Sequence, residues 1–356
     1  MQSWFDEAAE RIEPLGEKAL KDARDKWNAV AKPIGSLGQL ELMVEKIAGL
    51  TGSIDVDISK RAVMVLCADN GVVAQGVTQS EPEITTVIAG SVARGISSVC
   101  RMAQTVGADA VSVDMGMMTP SDAPGVINRS IARGTGDISL GPAMSREQAL
   151  TAIKTGVDLV AQMKADGYKI LATGEMGIGN TTTSSAMAAA FLGLPVETVT
   201  GRGAGLSNAG LARKCAAIER ALAVNEPDAN DALDVLSKLG GFDIAGLVGL
   251  FIGGAVHRVP IVIDGFISAV AALMAQKLCP GADIAMVASH CSEEPAAKRV
   301  LTILNKYPII FANMRLGEGT GGVCLLPMLD MALAVYGGTT FDQVGMEAYT
   351  PQGGKS

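Results

Sequence analysis

The feature of this sequence that most constrains its fold is a recurring unit of a short apolar run, a polar or glycine-rich turn and an alanine-rich stretch. Runs of about 4 to 7 β-branched and aliphatic residues are typical of buried strands. Strands that alternate with helices indicate parallel βαβ units with helices on both faces of one sheet. The sequence therefore predicts an α/β protein with a doubly wound, mainly parallel sheet. The predicted strands are Ala62–Ala68, Ala110–Val113, Lys169–Ala172, Val259–Ile263 and Ile284–Ala288.

Charge and composition exclude several classes of function. The net charge is −8 and there is no basic run, whereas nucleic-acid binding needs clustered Lys and Arg, so we expect no nucleic-acid partner. The most apolar run, Ile244 to Val256, is shorter than the roughly 20 residues that span a bilayer. The N-terminus is amphipathic and acidic, unlike a signal peptide, which predicts a cytoplasmic protein without membrane association. Only two histidines and scattered cysteines are present, so we expect no metal site.

Polar turns follow all five predicted strands, and they indicate where a ligand would bind. In open parallel sheets, ligands bind just beyond the carboxyl ends of the strands. Asp and Gly are also ordinary turn formers, so a single turn of this kind decides nothing. Five together favour an active site at that edge of the sheet. The turns are Asp69-Asn70-Gly71, Asp114-Met115-Gly116, Gly174-Glu175-Met176-Gly177, Asp264-Gly265-Phe266 and Ser289-His290.

The strongest local signal is the segment Thr173-Gly-Glu-Met-Gly-Ile-Gly-Asn-Thr-Thr-Thr183, which leaves a predicted strand and enters a helix. Asn and Thr are good N-cap residues, and a helix N-terminus attracts anions through its free N–H groups and its dipole. The segment lacks the Lys of a Walker P-loop and the glycine spacing of a dinucleotide fingerprint. On spacing alone, it is either a phosphate site or a tight strand-to-helix turn.

Two further glycine-rich segments could carry chemistry. Thr200-Gly-Arg-Gly-Ala-Gly-Leu-Ser207 precedes a helix with Arg213 and Lys214, and either cation could complete a phosphate site or lie in solvent. In Met314-Arg-Leu-Gly-Glu-Gly-Thr-Gly-Gly322, Glu318 stands between glycines in an apolar stretch. Burial would raise the pKa of that carboxyl toward the range of a general base. Alternatively, Glu318 stabilises the first turn of a helix. These observations predict an α/β enzyme with an anion loop and a candidate base, without naming its reaction.

Together with other segments spread over nearly the whole chain, these three make the sequence resemble the nicotinate-nucleotide–dimethylbenzimidazole phosphoribosyltransferase family. So many matches in one order are far more specific than a single glycine motif. The further matching segments are Lys32-Pro-Ile-Gly-Ser-Leu-Gly-Gln-Leu-Glu41, Cys67-Ala-Asp-Asn-Gly-Val72, Gly134-Thr-Gly-Asp-Ile138, Gly141-Pro-Ala-Met144, Leu239-Gly-Gly-Phe-Asp243, Asp264-Gly-Phe266, Ser289-His290 and Arg315-Leu-Gly-Glu-Gly-Thr-Gly321.

The resemblance implies a Rossmann-like catalytic domain, residues 61–320, and a small helical domain from both chain ends, residues 1–60 and 321–356. It implies transfer of phosphoribosyl from nicotinate mononucleotide to 5,6-dimethylbenzimidazole or a related base, for the lower ligand of a cobamide, without cofactor or metal. It also implies a dimer, either of identical chains or with a related chain, with active sites near the interface.

The resemblance also assigns roles to individual residues. Glu318 falls on the catalytic base, and Glu175 lies beside the reacting centre. Residues expected at the phosphate and nucleotide are Gly177, Gly179, Asn180, Thr181, Thr182, Gly203 and Lys214. Residues expected at the acceptor are Ser80, Ile88 and Met176.

One departure from the family pattern concerns the acceptor pocket. After Gly76-Val77, the family usually carries a Gln that faces the acceptor, just beyond a Val-Thr or Ile-Thr pair, and Ile84-Thr-Thr-Val-Ile88 has none. A pocket that lacks a polar partner discriminates by shape more than by ring nitrogens. The departure predicts that purines are poor acceptors and that phenol or p-cresol could serve.

Two other classes of function stay open at this stage. A non-catalytic nucleotide-binding relative would keep the fold without turnover, although the presence of Glu175 and Glu318 argues against it. A dinucleotide-dependent oxidoreductase would fit the strand pattern, although the missing fingerprint argues against it.

Overall fold

The computed structural model describes residues 2–349 and shows six parallel strands in one sheet, flanked by helices. The spatial order of the strands is β3-β2-β1-β4-β5-β6, so the chain winds outward in both directions from the centre. The prediction of a doubly wound α/β fold is therefore confirmed. The strands are β1 Arg61–Ala68, β2 Ala108–Gly116, β3 Ile127–Asn128, β4 Ile170–Met176, β5 Ile261–Ile263 and β6 Met286–Ala288.

All five predicted strands exist, but their bounds differ in ways that matter for the site. Strand β4 continues through Glu175 to Met176, where a turn was expected, because its pairing with β1 persists until Met176 lies opposite Cys67. The first part of the last predicted strand instead forms a 3₁₀ helix, Ala282–Ala285. The two-residue strand β3 was not predicted, since so short an edge strand has no periodicity to detect.

Fourteen α-helices lie within the described residues 2–349. They are α1 Gln2–Glu10, α2 Glu17–Ala29, α3 Gln39–Thr51, α4 Glu83–Ala93, α5 Ser98–Thr105, α6 Arg146–Ala165, α7 Asn180–Leu192, α8 Val196–Val199, α9 Asn208–Asn225, α10 Ala232–Leu239, α11 Phe242–His257, α12 Phe266–Leu278, α13 Ala297–Ile303 and α14 Thr320–Tyr336. None of them combines the length and apolar character that a membrane crossing requires.

The centre of the core is a close crossing of α6 and α11 beneath the sheet. Helix α11 is buried over almost its whole length. Gly156 of α6 faces Gly249 of α11, and a Cβ added at Gly249 would lie 2.8 Å from the Gly156 Cα atom. Glycine at both positions lets the two backbones approach, so α11 can pack against both α6 and the strands above it.

The two chain ends meet in a separate hydrophobic cluster. Trp27 of α2 and Tyr336 of α14 stack with their ring centroids 4.8 Å apart, next to Val44 and Ala48 of α3. The first half of α14 also packs on the opposite face of the sheet from α11, through side chains such as Leu325. The domain boundaries at 60/61 and 320/321 stay a prediction, and residues 350–356 of the last segment lie outside the described residues.

Candidate active site

A cleft of ≈ 330 Å³ opens beyond the carboxyl ends of the strands. Strands β2 and β4 lie on opposite sides of β1, so the direction of winding reverses here, and this reversal opens a crevice in doubly wound sheets. Six parts of the chain that are remote in sequence therefore meet. The lining segments are 77–88, 175–181, 202–206, 264–268, 290–294 and 315–318.

Of the residues to which the resemblance assigned roles, all but Thr182 and Lys214 line the cleft. The turns after β4, β5 and β6 also reach it, whereas Asp69, Asp114 and Arg213 do not line it. Lys214 is fully buried behind the cleft, where its Nζ donates to the Thr181 hydroxyl at 2.8 Å and to the Gly201 carbonyl at 3.0 Å. Because Thr181 lines the cleft, Lys214 is connected to the cleft through the Thr181 hydroxyl. The Thr182 hydroxyl is buried without a hydrogen-bond partner among the described residues.

The junction between β4 and α7 differs from the predicted helix start. Asn180 was expected to cap α7, but the cap position is Gly179, whose φ of 93° is readily adopted only by glycine. Asn180 is therefore the first helical residue, and its side chain turns inward. Its amide nitrogen donates to Asp243 Oδ2 at 3.0 Å and also to Glu175 Oε2.

Glu318 projects into the cleft from a strained loop. Its φ of 59° lies in the left-handed region, between Gly317 and Gly319, which share that conformation. A Cβ at Gly174 would lie 2.6 Å from the Glu318 carbonyl oxygen, so the glycine of β4 lets this loop cross the strand. Such strain persists only where the surrounding structure supports it, and it is concentrated at functional sites.

The Glu318 carboxyl has the properties of a general base. Its Oε2 is buried and has no hydrogen-bond partner in the described part of the chain. Burial raises the pKa of Glu318, the backbone N–H of Val99 opposes that rise, and the nearby Asp264 carboxylate adds to it. A carboxyl with a raised pKa and a free oxygen can accept a proton from a bound molecule.

Asp264, at the end of β5, anchors the glycine loop from the other side. Its Oδ1 accepts the Gly322 N–H at 2.9 Å at the start of α14. Burial raises the pKa of Asp264, while His290 and the N–H groups at the start of α14 oppose that rise. The negative charge of Asp264 is therefore directed at a helix N-terminus, which is a favourable arrangement.

Glu175 is the most strongly perturbed carboxyl of the cleft. Only 8% of its surface is exposed, and its Oε1 lies against Gly317. Burial raises the pKa of Glu175 well above its usual range, and the charges of Asp243, Asp264 and Glu318 raise it further. Hydrogen bonding from Asn180 opposes that rise.

The second glycine loop forms the opposite wall of the cleft. The Gly203 N–H donates to Glu294 Oε1 at 3.1 Å, while Glu294 Oε2 is buried without a partner in residues 2–349. Arg202 is held by the Leu206 carbonyl at 2.8 Å. Burial lowers the pKa of Lys214 to about 8, although Glu294 opposes this. This wall therefore carries Arg202 and the Glu294 carboxyl, with Lys214 buried behind it.

A third part of the cleft is apolar. Ile84 and Ile88 of α4 line it together with Met176 at the end of β4, and Ser80 lies in the loop before α4. A flat aromatic ring could bind here through apolar contacts. The cleft can thus hold an anion at one end and an aromatic ring at the other, with carboxyls between them.

Several residues of the site escaped the sequence analysis as individuals. Arg202 and Arg315 line the cleft and lie in the two glycine-rich segments noted in the sequence, but neither was named there as a site residue. Glu294 also lines the cleft, from a polar segment that gives no sign of its position. Asp264 and His290 were noted only as turn residues after strands. Asp243 had no local signal, because its importance depends on a contact with Asn180, which is distant in sequence.

Comparison with known proteins identifies the family to which this site belongs. A family model described as phosphoribosyltransferase matches residues 12–346. The nicotinate-nucleotide–dimethylbenzimidazole phosphoribosyltransferase of Acetivibrio thermocellus is 42% identical over 96% of this chain and 97% of its own length. The enzyme of the same name from Roseiflexus sp. is 44% identical over 97% of this chain and 98% of its own length. The chain belongs to the nicotinate-nucleotide–dimethylbenzimidazole phosphoribosyltransferase family.

The fold agrees with this membership. The crystal structure of CobT from Thermus thermophilus superposes with a TM-score of 0.87 at 35% identity, covering 93% of this chain and 99% of that one. The resemblance to the phosphoribosyltransferase family is thus confirmed over nearly the whole chain. Within residues 2–349, no group of three or more His, Cys, Asp or Glu side chains is arranged to hold a metal ion.

Proposed function

We propose that this chain transfers the phosphoribosyl group of nicotinate mononucleotide to an aromatic acceptor, giving an α-riboside 5′-phosphate and nicotinate for the lower ligand of a cobamide. The observation that carries the proposal is a cleft in which Glu318, with an oxygen unpartnered in the described chain, faces two glycine loops backed by Lys214. The names of the relatives give the same donor and an acceptor of the benzimidazole class.

The donor would be bound at the glycine loops. We assign its phosphate to the segment Gly177 to Thr182, Gly203 and Lys214. Backbone N–H groups and a cation bind phosphate well, and Lys214 is positioned through Thr181. Such binding would hold the ribose C1′ atom in line with the acceptor, with Glu318 within reach of the acceptor's proton, which is a positioning effect.

The chemistry follows from the charge of the donor. The C1′–N bond breaks with its electron pair going to the positive pyridinium nitrogen, so nicotinate departs with a neutral ring and needs no acid. The acceptor attacks C1′ from the opposite face, which converts the β-nucleotide into an α-riboside. It must lose a proton as it attacks, and Glu318 accepts that proton. The negative charge of the ionised Glu318 also favours the positive charge that develops on the ribose.

The test uses the full-length protein with nicotinate mononucleotide and one acceptor at a time: 5,6-dimethylbenzimidazole, adenine, phenol or p-cresol. Nicotinate and the riboside phosphate are followed by mass spectrometry. We expect both products in equal amounts with at least one acceptor. Binding of the nucleotide without nicotinate release from any acceptor would instead support a non-catalytic relative, or a need for a partner chain.

The acceptor pocket leads to a second proposal, that small apolar rings such as phenol or p-cresol are used alongside or in place of benzimidazoles. Ile84, Ile88 and Met176 offer no side-chain N–H or O–H donor to a ring nitrogen, whereas Gln79 and Ser80 line the same cleft with polar side chains. Adenine has several ring nitrogens, and those that face the three apolar side chains would have no hydrogen-bond partner, so adenine should be a poor acceptor. A clear preference for adenine in competition would contradict this proposal.

Replacing Ile88 by Gln tests how that wall selects the acceptor. We expect Ile88→Gln to lower the ratio of kcat/KM for p-cresol to that for dimethylbenzimidazole by about tenfold, because the amide offers a partner to a ring nitrogen and costs apolar contact. Ile88→Leu, which stays apolar, is the control. An unchanged ratio in Ile88→Gln would mean that Ile88 does not contact the acceptor.

We further propose that the chain acts in the cytoplasm as a dimer, of identical chains or with a related chain. Sedimentation of the purified protein, alone and with a co-expressed relative, distinguishes these assemblies.

A further inference from the structure

A buried carboxyl outside the cleft is linked to the reacting centre through one amide group. Asp243, the second residue of α11, is fully buried and does not line the cleft. Asn180 donates from one amide nitrogen both to Asp243 Oδ2, at 3.0 Å, and to Glu175 Oε2. The amide therefore joins a carboxyl of the core to one that faces the substrate.

Two glycines leave the room that the Asp243 carboxyl and the Asn180 amide occupy. A Cβ at Gly177 would lie 2.6 Å from Asp243 Oδ2 and 3.2 Å from the Asn180 amide nitrogen. A Cβ at Gly241 would overlap Asp243 Oδ1. Any side chain at either glycine would push the Asp243 carboxyl out of line with Asn180, so its orientation is tightly set.

No cation neutralises the pair within the described chain. Neither Glu175 nor Asp243 forms an ion pair with any residue in the range 2–349. The imidazole of His290, which also lines the cleft, faces Asp264. The other titratable groups that face the pair are acids: Asp69, Asp264, Glu318 and the Cys67 thiol. Two adjacent buried carboxyls without a cation cannot both ionise near neutral pH, so the pair retains a proton.

The two carboxyls are not equivalent, which decides where that proton resides. Asp243 lies in the first turn of α11, where the helix dipole and the Ile244 N–H favour a negative charge. Glu175 accepts a hydrogen bond from the Asn180 amide, but it lies on β4 and not in the first turn of a helix, so no helix dipole stabilises its charge. Burial raises the pKa of Asp243 to about 6, whereas the pKa of Glu175 is raised well above its usual range by burial and by Asp243. Near neutral pH, the charge therefore lies on Asp243 and the proton on Glu175.

We propose that Asp243 is a positioning residue for the reaction: through the amide of Asn180 it orients the Glu175 carboxyl, and its charge keeps Glu175 a neutral acid at the edge of the cleft. This inference rests on the proposed function. A neutral Glu175 can donate its O–H to a bound substrate, and it leaves Glu318 as the ionised base beside it. Two neighbouring carboxyls then hold different roles because their surroundings differ.

The decisive variant is Asp243→Asn, which keeps the shape and can still accept from Asn180 through its amide oxygen, but removes the charge. Without that charge Glu175 should lose its proton more readily. We expect the alkaline limb of kcat/KM against pH to move to lower pH by about one unit or more. The double variant Asp243→Asn/Glu175→Gln should have the same pH profile as Glu175→Gln alone, because the carboxyl that titrates in that limb is already absent.

Two controls separate this effect from a loss of structure. Asp114→Asn also removes a buried carboxyl near the ends of the strands, but that carboxyl does not contact Asn180, and the limb should stay in place. Asn180→Ala removes the hydrogen bond that lowers the pKa of Glu175, so the limb should move the opposite way, to higher pH. This second variant remains informative if Asp243→Asn does not fold.

A readout without turnover keeps the inference separate from the proposed function. Infrared spectra of the resting protein contain the carbonyl stretch of protonated carboxyls. The difference between wild type and Glu175→Gln near neutral pH should show one such band, and it should weaken in the Asp243→Asn background. Absence of that band in the wild type, an unmoved limb in Asp243→Asn or an equal shift in Asp114→Asn would each overturn the proposal, even if the enzyme turns over as expected.

Discussion

Replacing Glu318 by Gln is expected to lower kcat about 10² to 10⁴-fold while the KM for nicotinate mononucleotide changes little, the range typical for loss of a general base. Gln keeps the length of the side chain and the left-handed backbone, but it cannot take the acceptor's proton. Since Glu318 Oε2 has no partner among the described residues, no hydrogen bond of that oxygen within them is lost. The measurement is steady-state nicotinate release.

The pH dependence gives a second check on Glu318. Burial raises the pKa of this carboxyl, so the ionised base should be lost, as the pH falls, at a higher pH than for an exposed Glu. The acidic limb of the wild-type profile should therefore lie above the usual Glu range and vanish in Glu318→Gln. The exposed Glu219→Gln serves as control. Activity of Glu318→Gln within about threefold of wild type would exclude Glu318 as the base.

The largest effect on stability is expected at the crossing of α6 and α11. Gly249→Val should lower the free energy of unfolding by about 3 kcal/mol or more, at the upper end of the range for overpacked cores, or prevent folding. Even the Cβ would overlap the Ile153 carbonyl oxygen and come within 2.8 Å of the Gly156 Cα atom. These are backbone atoms, which cannot move aside without separating the two helices. Urea denaturation followed by circular dichroism measures the change.

A matched glycine shows whether the effect depends on the crossing. Nothing lies within 4 Å of a Cβ at Gly141, and its φ is not in the left-handed region. Gly141→Ala should therefore change the free energy of unfolding by less than about 1 kcal/mol. Similar losses in Gly249→Ala and Gly141→Ala would show that close packing of α6 on α11 is not the cause.

The fold was largely predictable because strands buried on both faces have a pattern of their own. Strand β1 is buried at all eight positions, and its run of aliphatic residues was found almost to the residue. Strand β4 was ended too early because Gly174 is a typical turn residue and Glu, as at position 175, is uncommon in strands. Pairing with β1 carries the strand past them, and a propensity cannot register that contact.

The sequence located the segments that form the site, but it did not show which side chains contact each other there. The motif from Thr173 to Thr183 and the loop around Glu318 were found from their glycines, and the resemblance assigned their roles. Asn180 was expected to cap a helix, because Asn is common there. Gly179 takes that position in the structure, which leaves the Asn180 amide free to join Glu175 and Asp243.

The sequence by itself determined the parallel α/β architecture, the edge of the sheet that holds the cleft and the family, because these depend on patterns of neighbouring residues and on matched motifs. Tertiary structure alone decided that Lys214 lies behind the cleft and that Glu175 shares an amide with Asp243. It also decided which carboxyls keep a proton. The physical reason is that a pKa depends on burial and on charges a few ångströms away, and here those charges come from β4, α11 and the loops after β5 and before α14.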